Sequence, residues 1–351
     1  AFKLLFILIS ILLSLLLIIF KMGEFLSVPI KDKKTEEREN DILRYASCGM
    51  QGWRKRMEDS HIADLDVGGK GINVFGVFDG HGGKEVAQWV KKNFSNELSK
   101  NSNFKNGNYQ KALIENFLRM DNLMEEPQGK LDLKEESKRA KLEDEVANKD
   151  KEKNKTDLFR SLFDPKAQED CDVAMYTGCT ATVCLLDDKF AYFANAGDSR
   201  IVISKNGKAY AMTEDHKPEN EEERKRIYKA NGFVSDGRVN GNLNLSRSLG
   251  DLEYKKNKKI PQEEQIITAY PEITNCSLSD VDFIFLGCDG VYDCLTNQEV
   301  VDFISTRLKS NMKLTKILEE MMDQIIAPDI YTETGVGCDN MSAVIIIFKK
   351  K

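Results

Sequence analysis

Histidine is nearly missing from this chain of 351 residues: His61, His81 and His216 are all it has. Three scattered imidazoles do not make a histidine-built metal centre. The eight cysteines contain no CxxC pair and no Cys/His spacing suited to zinc. Several of them, such as Cys184 and Cys288, lie inside apolar runs and read as reduced core residues of an intracellular protein. A basic excess is also lacking, since 51 Lys and Arg face 57 Asp and Glu for a net charge of −6, which argues against nucleic acid as a partner. The local basic clusters (Lys31, Lys33 and Lys34; residues 255–259) read as solvated surface, and there is no internal repeat.

What the chain does have begins with a seventeen-residue uncharged run at 4–20, flanked by Lys3 and Lys21. This is at the short end of what spans a bilayer, roughly 17–25 residues. No A-x-A-like cleavage site follows, which argues against a signal peptide. Two readings stay open. The run is a transmembrane anchor with the rest of the chain on its cytoplasmic side, where the positive charge lies. Alternatively translation starts at Met22, and Met22-Gly23-Glu24-Phe25-Leu26-Ser27 is an N-myristoylation signal with the lipid on Gly23. Either places the protein at the cytoplasmic face of a membrane.

Residues 1–21 are therefore the apolar segment, 22–42 a linker, and 43–349 the folded body. Within the body, apolar spacing predicts helices over 84–98, 109–124, 219–230, 297–309 and 313–326. Strands are expected at RYASCGMQG, INVFGVF, TGCTATVCLLD, KFAYFANAG, RIVISKNGKAY, QIITAYPEI, DFIFLGC and MSAVIIIFK. Residues 125–170 are rich in Lys and Glu with few large apolar residues, the composition of a disordered or loosely helical insert. Segment 231–260, full of Gly, Asn and Ser, reads as a long ordered loop.

Four aspartates sit beside short apolar runs, in VFGVFDGHGG (74–83), FANAGDSR (193–200), FIFLGCDG (283–290) and CDNMSAVIIIF (338–348). Asp-Gly alone is a good turn former. Four carboxylates delivered by strands to one sheet edge, with Glu58 and Asp59 nearby, would instead build a cage of oxygen ligands for hard divalent cations.

GWRKRMEDSH (52–61), FGVFDGHGG (75–83), TGCTA (177–181), NAGDSR (195–200), DHKP (215–218), GRVNGNLNLSRSLGD (237–251), CDGVYD (288–293) and CDNMSAVII (338–346) follow one another in a specific order. They resemble the signature segments of the metal-dependent serine/threonine protein phosphatases of the 2C family, over roughly residues 43–349. The resemblance implies an α+β fold, a four-layer α-β-β-α sandwich of two packed antiparallel sheets flanked by helices. It implies a monomeric enzyme acting on phosphoserine and phosphothreonine proteins, with two Mg²⁺ or Mn²⁺ ions and a weaker third. By resemblance Asp79 bridges the two ions, Glu58 and the Gly80 carbonyl hold one, and Asp289 and Asp339 hold the other. Asp59 orients coordinated water, Arg54 binds the phosphate, and His81 is the general acid. Asp198 and Asp293 join Asp289 at the third ion, and segment 217–245 is a flap beside the site. A non-catalytic phosphoprotein-binding module on the same fold is the competing class, and the presence of Glu58, Asp79, Asp289 and Asp339 argues against it.

Overall fold

Side chains alternate between the two faces of a strand, and in this chain both faces are apolar. In INVFGVF, Phe75 and Val77 enter one hydrophobic core while Val74 and Phe78 enter another. Such a strand must be covered on both sides. The computed structural model, which describes residues 25–149, 172–331 and 335–349, shows how.

One antiparallel sheet runs in the order β1 (Phe25–Glu39), β2 (Leu43–Arg54), β16 (Met341–Phe348), β15 (Phe283–Gly287), β9 (Arg200–Lys205), β10 (Lys208–Ala211). A second runs β14 (Glu272–Ser277), β8 (Phe190–Ala196), β7 (Ala181–Leu186), β4 (Ile72–Phe78), β3 (Ser60–Val67). Their facing sides share a core that includes Tyr45, Phe75, Phe193, Ile284 and Ile346. The Tyr45 and Phe75 rings meet edge-on across it, with centroids 5.1 Å apart. Each fully buried large side chain of this kind contributes about 1.5–3 kcal/mol.

The outer side of the second sheet carries α1 (Glu85–Lys100) and, after the single turn α2 (Ser102–Lys105), α3 (Tyr109–Glu125). Phe94 and Phe117 pack there at 88° with centroids 5.5 Å apart. The outer side of the first sheet carries α7 (Asn297–Lys309) and α8 (Leu314–Ile325). A capping box of Thr296 and Glu299 starts α7. Short pieces lie at one end of the sandwich: β5 (Gly80–His81), β6 (Gly178–Cys179) and β13 (Leu249–Gly250) form a small sheet, and β11 (Val234–Ser235) and β12 (Arg238–Val239) a hairpin. Helices α5 (Glu221–Lys229) and α6 (Asp289–Tyr292) complete that end. The α-β-β-α sandwich is thus the expected one.

Three expectations need correction. The linker over 22–42 is, from Phe25 to Glu39, an edge strand paired along β2. Its Lys and Glu residues concealed it, but charged side chains suit a strand with one open edge. They are anchored, Lys33 to Asp323 at 2.6 Å and Glu36 by the Tyr45 hydroxyl at 3.0 Å. The charged insert starts as a regular helix, α4 (Pro127–Lys149), which buries Leu133 against the α1–α3 layer and pairs its buried Glu136 with Lys92 and Arg139. The strand expected in QIITAYPEI begins only at Glu272, after Pro271, which lacks a backbone donor.

Cys48, Cys179, Cys184, Cys276, Cys288 and Cys294 form no disulfide among the described residues. No helix among the described residues is long and apolar enough to cross a membrane. The apolar run 4–20 and Gly23, on which the membrane and lipid readings rest, lie outside the described residues, as do residues 150–170 of the charged insert.

Candidate metal centre and active site

Strand order alone brings the predicted carboxylates together. Strands β4 and β8 are both antiparallel to β7, so their C-terminal ends, followed by Asp79 and Asp198, lie on one edge. In the other sheet the C-terminal end of β15 meets the N-terminal end of β16, with Gly287 opposite Ala343. That pairing sets Asp289 beside Asp339. The C-terminal end of β2, with Arg54, comes to the same place because Met50 lies opposite Met341. Each sheet therefore delivers two aspartates.

Local contacts then fix the backbone. The Asp79 carbonyl accepts from Thr180 N–H at 2.8 Å, and the Asp79 N–H donates to Thr180 Oγ1 at 3.1 Å. Gly80 touches the other loop so closely that a Cβ would stand 2.4 Å from the Glu58 carbonyl oxygen, which forces glycine there and sets Gly80 beside Glu58. A Cβ on Gly290 would stand 2.0 Å from the Asn340 carbonyl oxygen, so α6 lies directly on the turn that bears Asp339. Asn340, buried and overlooked in the sequence, ties that turn to the Arg54–Glu58 loop. Its amide donates to the Gln51 and Arg56 carbonyls at 2.8 and 2.9 Å and accepts from Glu58 N–H at 2.8 Å. Its place between Asp339 and the largely apolar stretch MSAVIIIF was the available signal.

The electrostatics are those of crowded anions. Burial, followed by the charges of Asp59 and Asp339, holds the Asp79 carboxyl well above the usual carboxylate range. Asp289 is raised in the same way by burial and by Asp79, Asp198 and Asp339. Asp59 is pushed up to about 7 by burial and then by Asp339 and Asp289. Burial also raises Glu58. Arg54 donates to Asp339 Oδ2 at 2.5 Å and lies over the Phe25 ring, 5.7 Å from its centroid. Asp198, almost fully buried, is paired with Lys217, the first residue of the segment expected as a flap. Asp293 follows one turn after Asp289, its N–H donating to the Asp289 carbonyl at 2.7 Å, and burial raises its carboxyl against the pull of Lys217.

These residues fit hard divalent cations. Ligand atoms of Asp59, Asp79 and Cys288 lie within 4.8 Å of one another, and Asp59 Oδ2 is buried with no hydrogen-bond partner among the described residues. Cys288 is unsuited as a thiolate ligand: burial, then the neighbouring acids, hold its thiol well above its ordinary value, and its sulfur accepts from Ser342 N–H at 3.1 Å. Oxygen donors remain, the ligand type that hard divalent cations take. Asp59, expected to orient water, thus stands with Asp79 in the cluster, while Glu58 is brought in beside Gly80.

His81 sits next to this cluster on β5. Its Nε2 lies 2.7 Å from Oδ2 of Asp251, another residue without an assigned role in the sequence reading. Burial lowers the His81 pKa, but the charge and hydrogen bond of Asp251 outweigh it, so the imidazolium persists above its ordinary value.

The sequence matches the family model described as protein phosphatase 2C over residues 43–135 and 124–332. It is 44% identical over 329 residues to the Paramecium tetraurelia protein named probable protein phosphatase 2C 6, covering 93% of this chain and all of that one. It is 43% identical over 345 residues to the Arabidopsis thaliana probable protein phosphatase 2C 21, covering 94% of this chain and 93% of that one. A crystal structure of a phosphatase from Toxoplasma gondii shares the fold, with a TM-score of 0.62 at 22% identity over 91% of this chain and 96% of that one.

Proposed function

Since this chain belongs to the protein phosphatase 2C family and is a metal-dependent protein serine/threonine phosphatase, we propose that it uses Mg²⁺ or Mn²⁺ held by Asp79, Gly80, Glu58, Asp289 and Asp339, with Asp59 alongside. The convergence of aspartates from both sheets around the unpartnered, buried Asp59 Oδ2 carries this reading. Two such ions, when bound, neutralise a phosphate dianion and make water nucleophilic near neutral pH. A weaker third ion at Asp198, Asp289 and Asp293 belongs to the same reading and would compete with the Lys217 ammonium already on Asp198.

The chain's own groups do the rest. Arg54, whose planar fork matches two phosphate oxygens, orients the monoester. His81, kept protonated by Asp251, donates to the departing serine or threonine oxygen. Phosphate release from a phosphothreonine peptide by the full-length chain is expected to require Mn²⁺ or Mg²⁺ and to stop on adding EDTA. Folded, metal-loaded protein without turnover would favour the binding-only class. His81→Gln is expected to lower kcat on that peptide by about 10²–10⁴-fold, the usual contribution of a positioned acid. An aryl phosphate, whose leaving group needs no proton, should lose far less. Equal losses on both would remove His81 from the role of acid.

A further inference from the structure

His81 and Asp251 are 170 residues apart in sequence, yet the small sheet β5–β6–β13 is built so that they meet. His81 pairs with Gly178, and Gly178 on its other side pairs with Gly250. Asp251 follows immediately, in the left-handed region at φ 48°. The two side chains thus reach toward each other across the middle strand at a residue with no side chain. A Cβ on Gly178 would stand 2.2 Å from Asp251 Oδ2 and 2.8 Å from His81 Nε2, so glycine at this position is what leaves room for the pair.

Asp251 is itself held. Its side chain is nearly fully buried, and its Oδ2 accepts from Ser248 Oγ at 2.5 Å as well as from His81. Its N–H donates to the Thr177 carbonyl at 3.1 Å. Behind it, Asp121 of α3 accepts from Gly250 N–H at 2.9 Å and from Lys255 Nζ at 2.6 Å, and Lys255 also donates to the Ser248 carbonyl at 2.7 Å. A continuous polar chain therefore runs from α3 through the 248–255 turn to the imidazole. A buried carboxylate with both its donors fixed leaves the ring one favoured orientation.

We infer that Asp251 is the positioning residue of the phosphatase reaction: it holds His81 by Nε2–H and so makes Nδ1 the nitrogen that delivers the proton. This rests on the reading of His81 as general acid. In the step itself, the oxygen of water forms its bond to phosphorus as the bond from phosphorus to the serine or threonine oxygen breaks. The departing oxygen takes the proton from Nδ1, and the electron pair of that N–H bond stays on the ring. The imidazole, still donating Nε2–H to Asp251, regains a proton from solvent, which receives the one lost by the attacking water. The balance is phosphomonoester plus water to alcohol plus hydrogen phosphate.

The test compares kcat for a phosphothreonine peptide and for aryl phosphates of graded leaving-group acidity. Asp251→Asn keeps the shape and suits the left-handed backbone, but an amide no longer compels the Nε2–H tautomer. It is expected to cost between about tenfold and a hundredfold on the peptide, part of the 10²–10⁴ a positioned acid supplies, with KM little changed and little loss on the most acidic aryl phosphate. The double variant Asp251→Asn, His81→Gln should be no slower than His81→Gln alone, because Asp251 acts only through the ring. Gly178→Ala changes no polar group and pushes the pair apart, so it should show the same substrate-selective loss and keeps the idea testable if Asp251→Asn does not fold. Equal losses on both substrate classes, no loss in either single variant, or additive losses in the double variant would overturn the inference. If His81→Gln itself shows no leaving-group dependence, the general-acid reading falls and this one with it. If His81→Gln shows it and Asp251→Asn does not, only the positioning role is lost.

Discussion

Asp79→Asn is expected to lose at least about 10³-fold in kcat and, with metal chelated, to unfold at a higher temperature than the unmodified protein. The first effect follows from the bridging role proposed for it. Each tenfold in rate corresponds to about 1.4 kcal/mol of transition-state stabilisation, and charge neutralisation by bound metal supplies several kcal/mol. The second effect follows from what surrounds Asp79. Its carboxyl is raised by burial and by Asp59 and Asp339, so the charged form is opposed in the folded chain without cations. A neutral amide of the same shape relieves that repulsion. Thermal melts with EDTA and with saturating Mn²⁺ read both effects. The unmodified protein should gain stability from metal, and the variant should gain little. Near-normal turnover of the variant in Mn²⁺ would refute the bridging role, and a lower melting temperature in EDTA would refute the repulsion account. Asp289→Asn should behave in the same way.

Glu223→Gln carries the largest expected cost in stability, about 3–5 kcal/mol, the range for breaking a buried ion pair by removing one partner. Glu223 is almost fully buried in α5. It accepts from Ser246 Oγ, Arg226 Nη1 and Arg247 Nη2, each at 2.6 Å. Without its charge, two mostly buried guanidinium groups are left beside it without a counter-charge. The same site predicts an acid dependence. Burial alone would raise the Glu223 pKa, but the hydrogen bond from Arg247 and the charges of both arginines bring it down to about 2, from an ordinary 4.5. A carboxyl depressed on folding adds stability that is fully present above its ordinary pKa and is lost as pH falls through the folded value. The stability gap between the unmodified protein and Glu223→Gln, from urea unfolding, should therefore be widest above pH ~4.5 and shrink by about 3 kcal/mol toward pH ~2. A gap independent of pH would mean that the contribution of Glu223 is packing rather than charge.

These two sites differ in how much of them was legible. The aspartates at 79, 198, 289 and 339 stood out because each adjoins a short apolar run whose period and length mark a buried strand. Helix α7 was expected over 297–309 and is found at Asn297–Lys309, where an S/T-x-x-E start and a steady apolar face make the signal local. Strand β1 was overlooked because its pairing energy comes from the β2 backbone, while its side chains are mostly charged. Helix α4 was expected only as part of a disordered or loosely helical insert, because few residues such as Leu133 face the core, too few for a clear period.

The sequence by itself determined most of the strands, the main helices and the family-bearing carboxylates, since each depends on neighbours within a few residues of the chain. The tertiary structure decided which groups stand together: Asn340 under the Arg54 loop, Lys217 on Asp198, the Glu223–Arg226–Arg247 cluster, and Asp251 on His81 across Gly178. Most of those contacts span tens to hundreds of residues, and they exist because strand order and register, which no local pattern encodes, bring distant segments to one edge of two sheets.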